Sequence, residues 1–291
     1  MRQFQPLRTF ISKFSVLTWL LIIGLIWLVA AVMLWWHIVY TDPKNVFEGM
    51  LKNNLTTVGF TKETTTDQGG LTANELAQLQ LGKDTMMRTL TTLKQQNDTV
   101  VTDAISTQEK EYVRYVTIDT KSKDAEGNAL DFSKAMNIWA SGDSRGTSQA
   151  VTQAVLGVFP MGNVTAEARN EILADMKKDT VFSVKYDKVK KEKINGRQVY
   201  TYEVQLLPQP YIAMLKKYGK AVGLGGQVGN LNPADYADAA PTDLRVSVDV
   251  AARRLVSVSY IGNDDRKESF SAFGVIKNVE LPKDTISMNK L

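Results

Sequence analysis

Few residues of this chain have the types and spacing that catalysis requires. The adjacent carboxylates Asp264 and Asp265 could serve acid–base chemistry, but they follow Gly262-Asn263, which is typical of a turn. The chain has no cysteine and a single histidine, His37. These counts exclude a thiolate nucleophile, a Cys-ligated metal and, within one chain, a Ser-His-Asp triad or a His-ligated metal site. We therefore expect a non-catalytic protein that uses no metal and no cofactor.

A glycine-rich stretch, Gly223 to Gly229, invites comparison with a phosphate-binding loop. It lacks the Gly-Lys-Ser/Thr ending of a P-loop, and it follows a predicted helix, whereas that loop follows a strand. The pattern therefore favours a mobile connection over a nucleotide site.

The distribution of charge excludes another class of function. The formal net charge is +4, and Arg2, Arg8 and Lys13 contribute to it from a region without acidic residues. The remainder of the chain is close to neutral, so it offers no basic surface of the kind that binds nucleic acid. We expect no nucleic-acid partner.

An apolar stretch near the N-terminus determines where the rest of the chain is placed. Phe14 to Thr41 contains no Lys, Arg, Asp or Glu, and a helix of about 20 apolar residues spans a bilayer core. The basic residues precede this stretch, so the positive-inside rule keeps the N-terminus in the cytoplasm. Trp35, Trp36 and Tyr40 suit the outer membrane–water interface.

These features predict three regions, a cytoplasmic tail (1–13), a transmembrane signal anchor (14–41) and an extracytoplasmic domain (42–291). The protein would then be a single-pass protein of the cytoplasmic (cell) membrane, with the lipid bilayer as its first partner. A cleaved signal peptide is the alternative, since Val29-Ala30-Ala31 resembles a cleavage site, although it lies in the middle of the apolar stretch.

The exported region combines helices with alternating strands. Asp42-Pro43 is typical of a helix start, Thr165 is a candidate N-cap of a later helix, and Asn195-Gly196 is typical of a two-residue hairpin turn. The strand after that turn places Tyr200 and Tyr202 on one face and Thr201 on the other. Hairpins without alternating βαβ units predict an α+β domain with a curved antiparallel sheet of about seven to ten strands and helices packed on one face.

This order of elements resembles the LolA/LolB and LppX/LprG lipoprotein-carrier superfamily. The resemblance lies in the opening helix Pro43–Leu51, the hairpin at Asn195-Gly196, the strand pair Leu244–Val250 and Leu255–Tyr260, and the closing Leu281-Pro282. It implies a half-open β-barrel with helices on its concave face and an apolar cavity for acyl chains. The chain departs from the family because a membrane anchor replaces the lipid-modified cysteine.

Two functions remain open at this point. One is a non-catalytic binding protein for a lipid or another hydrophobic ligand, held at the outer face of the membrane. The other is an interaction or sensor module of a cell-envelope complex, with a filled core and a membrane-protein partner. For the first, the predicted cavity-lining residues are Phe182, Tyr186, Tyr200, Tyr202, Tyr260, Val155 and Leu215. The alternative for each of these side chains is a place in a dry core.

Overall fold

The computed structural model describes residues 16–82, 85–107, 109–143, 149–275 and 279–290. The chain divides into two compact units, one that ends at Val46 and one that begins at Phe47 and includes the rest of the chain. The boundary predicted between residues 41 and 42 stays a prediction.

The N-terminal unit contains a long apolar helix. Helix α1 (Val16–Trp35) continues into a π-helix (Trp36–Tyr40). Within the described part of the chain, Thr18–Tyr40 is the one helix that is long and apolar enough to cross a membrane. Apolar side chains surround it on all sides, as expected where the surroundings are lipid. The predicted apolar helix is confirmed, while its orientation and its retention after export stay predictions.

The larger unit contains one 13-stranded sheet. The strands are β1 (Gly59–Gln68), β2 (Leu71–Gln80), β3 (Met86–Gln95), β4 (Asp98–Ser106), β5 (Lys110–Asp119), β6 (Ala140–Asp143), β7 (Phe182–Val184), β8 (Lys190–Ile194), β9 (Arg197–Leu206), β10 (Thr242–Asp249), β11 (Arg254–Tyr260), β12 (Asn263–Ser271) and β13 (Ile286–Ser287). Their order is β13-β6-β5-β4-β3-β2-β1-β12-β11-β10-β9-β7, with β8 also paired to β9. The pairing is antiparallel except between β13 and β6, so the predicted α+β class with an antiparallel-rich sheet is confirmed.

The strand register defines two faces of the sheet. Residues directly opposite in antiparallel strands project to the same side, and one cross-strand row runs Tyr202, Val246, Val258, Glu268, Thr64. We call the face that carries this row the helix-side face, because the ring of Phe47, on the second helix, lies 5.3 Å from that of Tyr202.

Two sequence predictions about strands are wrong. Asp264 and Asp265 lie in β12, and the turn precedes them at Ile261-Gly262, where Gly262 adopts a φ of 85°. Phe182, Val184 and Tyr186 alternate with polar residues in the sequence and predict a strand through Tyr186. The strand ends at Val184 instead, because a 3₁₀ turn follows and leads into β8. The sheet also has more strands than the seven to ten expected, because strands as short as β6 and β13 carry too few residues for alternation to show.

The helices of the larger unit follow the predicted caps. They are α2 (Pro43–Asn54, which begins in the N-terminal unit), α3 (Gln149–Val155), α4 (Ala166–Lys178), α5 (Pro208–Ala221) and α6 (Gly225–Val228). The carboxylate of Asp42 accepts a hydrogen bond from the Asn45 amide at 3.0 Å, and the hydroxyl of Thr165 accepts one from the Ala168 amide at 3.3 Å. Both N-cap predictions are therefore confirmed.

The glycine-rich stretch differs from the predicted connection, since α6 forms within it. Gly219 on α5 allows α6 to approach closely, because a Cβ atom at Gly219 would lie 2.7 Å from Cγ2 of Val228. A larger residue at this position would therefore push the two helices apart.

Candidate functional site

Three of the predicted site residues meet in an aromatic cluster. The rings of Phe182, Tyr186 and Tyr202 lie 6.3, 6.4 and 5.3 Å from that of Phe47, and Phe159 stacks on Phe182 at 4.8 Å. The edge-to-face geometry around Phe47 is the arrangement that aromatic quadrupoles favour. The five rings therefore pack against one another.

Two further predicted residues are also in the core. Tyr200 is buried, with its ring 6.4 Å from that of Tyr202, and Leu215 is buried on α5. Neither these two residues nor Phe182, Tyr186 and Tyr202 line the two cavities described next. Their role in ligand binding stays a prediction.

Val155 lines the larger of these two cavities, which has a volume of about 380 Å³. We call it the main cavity. The lining residues are Leu81, Gly82, Thr85, Val151, Val155, Gly162, Asn163, Ala221, Val222, Gly223 and Leu224. They come from the residues that follow β2, from α3, from the loop before α4, and from the last residue of α5 and the residues that follow it. Aliphatic side chains are therefore combined with a hydroxyl and an amide group.

Two tyrosines of α5, the half-buried Tyr211 and the buried Tyr218, hold the segment that borders this cavity. The hydroxyl of Tyr218 donates to the carbonyl of Met161 at 2.7 Å, and the hydroxyl of Tyr211 donates to the carbonyl of Gly157 at 3.0 Å. Burial raises the pKa of both tyrosines well above the usual range. They stay neutral at physiological pH and fix the segment between α3 and α4 against α5.

Tyr260 lines a second, smaller space of about 70 Å³, which we call the charged cleft. Its lining residues are Phe60, Lys62, Gln153, Ala154, Gly157, Val158, Phe159, Met161, Val258, Tyr260, Arg266, Glu268 and Phe270. The floor comes from the helix-side face of β1, β11 and β12, and the cover from α3 and the segment after it. Charged side chains are thus placed on a face that is otherwise apolar.

An ion pair dominates the electrostatics of the charged cleft. The guanidinium of Arg266 donates to the carboxylate of Glu268 at 2.6 Å, and the Glu268 side chain is 9% exposed. Burial lowers the pKa of Arg266, but the hydrogen bond and charge of Glu268 outweigh it and the net shift is upward. Burial, and then the charge of Glu268, raise the pKa of Tyr260. The cleft therefore contains an ion pair and a neutral phenol.

Sequence reasoning missed Lys62, Arg266 and Glu268. Arg266-Lys267-Glu268 is an unbroken run of charge, so alternation alone does not show which residues face inward. The register supplies that information, since Lys62 lies opposite Phe270 and two residues after the buried Phe60. Charge at an inward strand position is the signal that would have identified the site.

The described residues contain no group of three or more His, Cys, Asp or Glu that could hold a metal ion. Asp264 and Asp265, the carboxylates considered first, lie on β12, and their side chains fall outside what the structure describes. A comparison with known protein families and with curated proteins finds no match to this chain.

Proposed function

We propose that this chain is a membrane-anchored, non-catalytic binding protein for a lipid or another amphiphile, exposed on the outer side of the cytoplasmic membrane. The observation that supports this proposal is the main cavity of about 380 Å³. Ligand pockets in proteins have volumes of about 300–1,000 Å³ and combine an apolar lining with a few polar groups.

The lining of the main cavity suits a molecule with an apolar and a polar part. Leu81, Val151 and Val155 provide an aliphatic surface, while Thr85 and Asn163 provide groups that form hydrogen bonds. An amphiphile satisfies both kinds of surface. A purely polar ligand would leave the aliphatic side chains without apolar contacts.

Two further parts of the proposal concern architecture and location. The antiparallel-rich sheet with helices on one face is compatible with the half-open barrel and concave helix packing that the carrier resemblance implies. The apolar helix Thr18–Tyr40, preceded by Arg2, Arg8 and Lys13, supports an anchor with its N-terminus inside. A tethered carrier of this kind would take its ligand from the membrane that holds it.

Photo-crosslinking in native membranes tests the proposal directly. The full-length chain is expressed, membranes are incubated with a diazirine-bearing palmitic acid and irradiated, and labelled peptides are identified by mass spectrometry. We expect labels within residues 149–164 and 219–224, which border the main cavity. Val222→Trp would fill part of the cavity and reduce this labelling several-fold.

Val189→Trp is the matched control, because Val189 is also half-buried but lies between the 3₁₀ turn and β8, away from the main cavity. It should leave the labelling unchanged. Labels confined to Thr18–Tyr40, or equal labelling of the wild type and Val222→Trp, would contradict lipid binding in the cavity.

One observation favours an interaction module as the second candidate. Leu76 and Leu90 are directly opposite in β2 and β3, and their side chains are 38% and 42% exposed. A paired apolar surface of this kind is found at sites of protein contact. Recovery of one stoichiometric membrane protein by crosslinking, lost in Leu90→Ser, would support this candidate.

A further inference from the structure

The charged cleft contains one lysine, Lys62, whose charge is not compensated by a described residue. Arg266 and Glu268 compensate each other through a contact of 2.6 Å. Lys62 is half-buried on the same face and forms no ion pair with any residue that the structure describes. Lys62 lines the cleft beside the rings of Phe60 and Phe270, and an ammonium group that leaves water costs desolvation free energy unless an opposite charge compensates it.

The remainder of the lining determines what would compensate Lys62. The charged side chains are Lys62, Arg266 and Glu268, so the cleft carries a net charge of +1. Glu75 also acts on Arg266, but it lies one strand further along the row, beyond Thr64, and does not line the cleft. The rings of Phe60, Phe159 and Phe270 border the same cleft, and an apolar lining of this kind strengthens charge interactions.

We propose that the charged cleft binds an anionic group of the size of a carboxylate or phosphate. The ammonium of Lys62 supplies the attraction, and the guanidinium of Arg266 and the hydroxyl of Tyr260 supply further donors. Glu268 orients Arg266 and limits the net positive charge. The volume of about 70 Å³ admits a small anionic group and excludes an acyl chain.

A buried hydroxyl next to the cleft agrees with this assignment. Thr64 lies directly between Glu268 and Glu75 on the helix-side face, and its hydroxyl is buried without a hydrogen-bond partner among the described groups. Such a group costs free energy unless a water molecule or a ligand satisfies it. A hydrated anion in the cleft would bring acceptors to this part of the face.

This site differs from the main cavity. Val151 and Val155 border the main cavity, whereas Gln153, Ala154 and Met161 border the charged cleft, so α3 and the segment after it separate the two. Anion binding therefore stands independently of lipid binding in the main cavity. The anionic group belongs either to a free anion or to an ester with an alkyl chain.

A ³¹P NMR titration tests the proposal on the full-length chain in dodecyl maltoside, which contains no phosphorus. The probes are inorganic phosphate and hexyl phosphate. We expect the wild type to bind at least one probe and Lys62→Gln to weaken that binding about tenfold, the effect of one charge-assisted hydrogen bond. Lys62→Arg should retain it, which excludes misfolding as the cause.

Two further variants have different expected effects on the affinity for the probes. Lys267→Gln is the matched control, since Lys267 is exposed beside Glu268 and projects to the other face, and it should leave the affinity unchanged. Glu268→Gln removes the negative charge from the lining and should increase the affinity for the phosphate probes. If Glu268 had only a structural role, the same substitution would decrease that affinity.

The two probes distinguish the source of the anion. Equal affinities would assign the site to a free anion, and binding of hexyl phosphate alone would assign it to the polar end of an ester. Absence of binding by both probes, or equal effects of Lys62→Gln and Lys267→Gln, would overturn the proposal.

Discussion

Strands β9–β11 and strands β2–β4 alternate in the same way, yet their helix-side faces differ in burial. On β9 and β10, Tyr202, Val204 and Val246 are at most 1% exposed. On β2 and β3 the same face is buried at one end only, since Ala77, Leu79 and Met87 are at most 4% exposed whereas Leu71 and Leu93 at the other end are 38% and 37% exposed. The aromatic cluster around Phe47 covers the first half, and no comparable aromatic cluster is present on the second within the described residues.

The comparison shows that alternation determines which side chains share a face, but not whether that face is buried. The charged cleft lies at the border between the two halves, where β12 and β1 pair. Core-like aromatic rings and solvent-accessible charges meet at this border, which is the combination that recognition of a polar group requires.

The largest expected effect tests the covered half. Tyr202→Ala removes a fully buried ring that contacts Phe47, Tyr186 and Tyr200. We expect the free energy of unfolding to fall by about 4 kcal/mol, the range for large aromatic truncations in cores. Urea unfolding followed by far-UV circular dichroism measures it, and a loss below about 1 kcal/mol would show that this cluster is loosely packed.

The next effect tests whether the less covered half depends on polar contacts. On the face opposite the helices, the Asp103 carboxylate, 3% exposed, accepts hydrogen bonds from Arg88 and Arg114 at 2.7–3.1 Å. The guanidinium of Arg114 also lies 4.7 Å from the ring of Trp139. Asp103→Asn should lower the free energy of unfolding by about 2 kcal/mol, because it leaves the two cations without their shared anion.

The same substitution has a defined pH dependence. Burial raises the pKa of Asp103, but the hydrogen bonds and charges of Arg88 and Arg114 outweigh it and hold the pKa below the ordinary value. The stabilisation is therefore complete above the unfolded-state pKa of about 3.9 and is lost as pH falls through the lower folded-state pKa. The difference between the wild type and Asp103→Asn should persist at pH 6 and shrink below about pH 4. A constant difference down to about pH 2 would contradict the ion-pair explanation.

A smaller effect tests the cover of the sheet. Tyr218→Phe removes the hydroxyl that donates to the Met161 carbonyl at 2.7 Å and leaves that buried carbonyl unsatisfied. We expect a loss of about 1–2 kcal/mol. Hydrogen exchange should accelerate within residues 156–164, whereas protection unchanged in this segment would show that other contacts fix it.

The smallest effect completes the comparison. Leu90→Ala truncates a side chain that is 42% exposed on β3. The free energy of unfolding should change by less than about 0.5 kcal/mol. A loss near that of Tyr202→Ala would show that the second half of the sheet is covered in solution, for example by another copy or a partner.

The sequence predicted the elements whose pattern is local. The apolar helix, the caps Asp42 and Thr165, and the hairpin at Asn195-Gly196 each depend on neighbouring residues, and the structure confirms all of them. β13 depends on pairing with β6, which is distant in the sequence. Such pairing has no local signature.

The candidate site was predictable only in part, for the same reason. Val155 and Tyr260 were assigned from their apolar faces, and the structure places each on a cavity, whereas Lys62 and Glu268 could not be assigned. Their inward position follows from the register of β1 against β12, which joins residues about 200 positions apart. Prediction of a core also assumes that inward-facing strand positions are apolar, and the charged Lys62 and Glu268 do not satisfy this assumption.

The outer edge of β9 affects whether the sheets of two copies of the protein can associate edge to edge. This edge is divided between three-residue β7 and the exposed β8, which carries Lys190, Lys191 and Lys193. The opposite end of the sheet finishes in the two residues of β13. Short, lysine-rich edges discourage one sheet from extending into another. Copies of this sheet can therefore meet edge to edge at high concentration and remain a population of separate molecules.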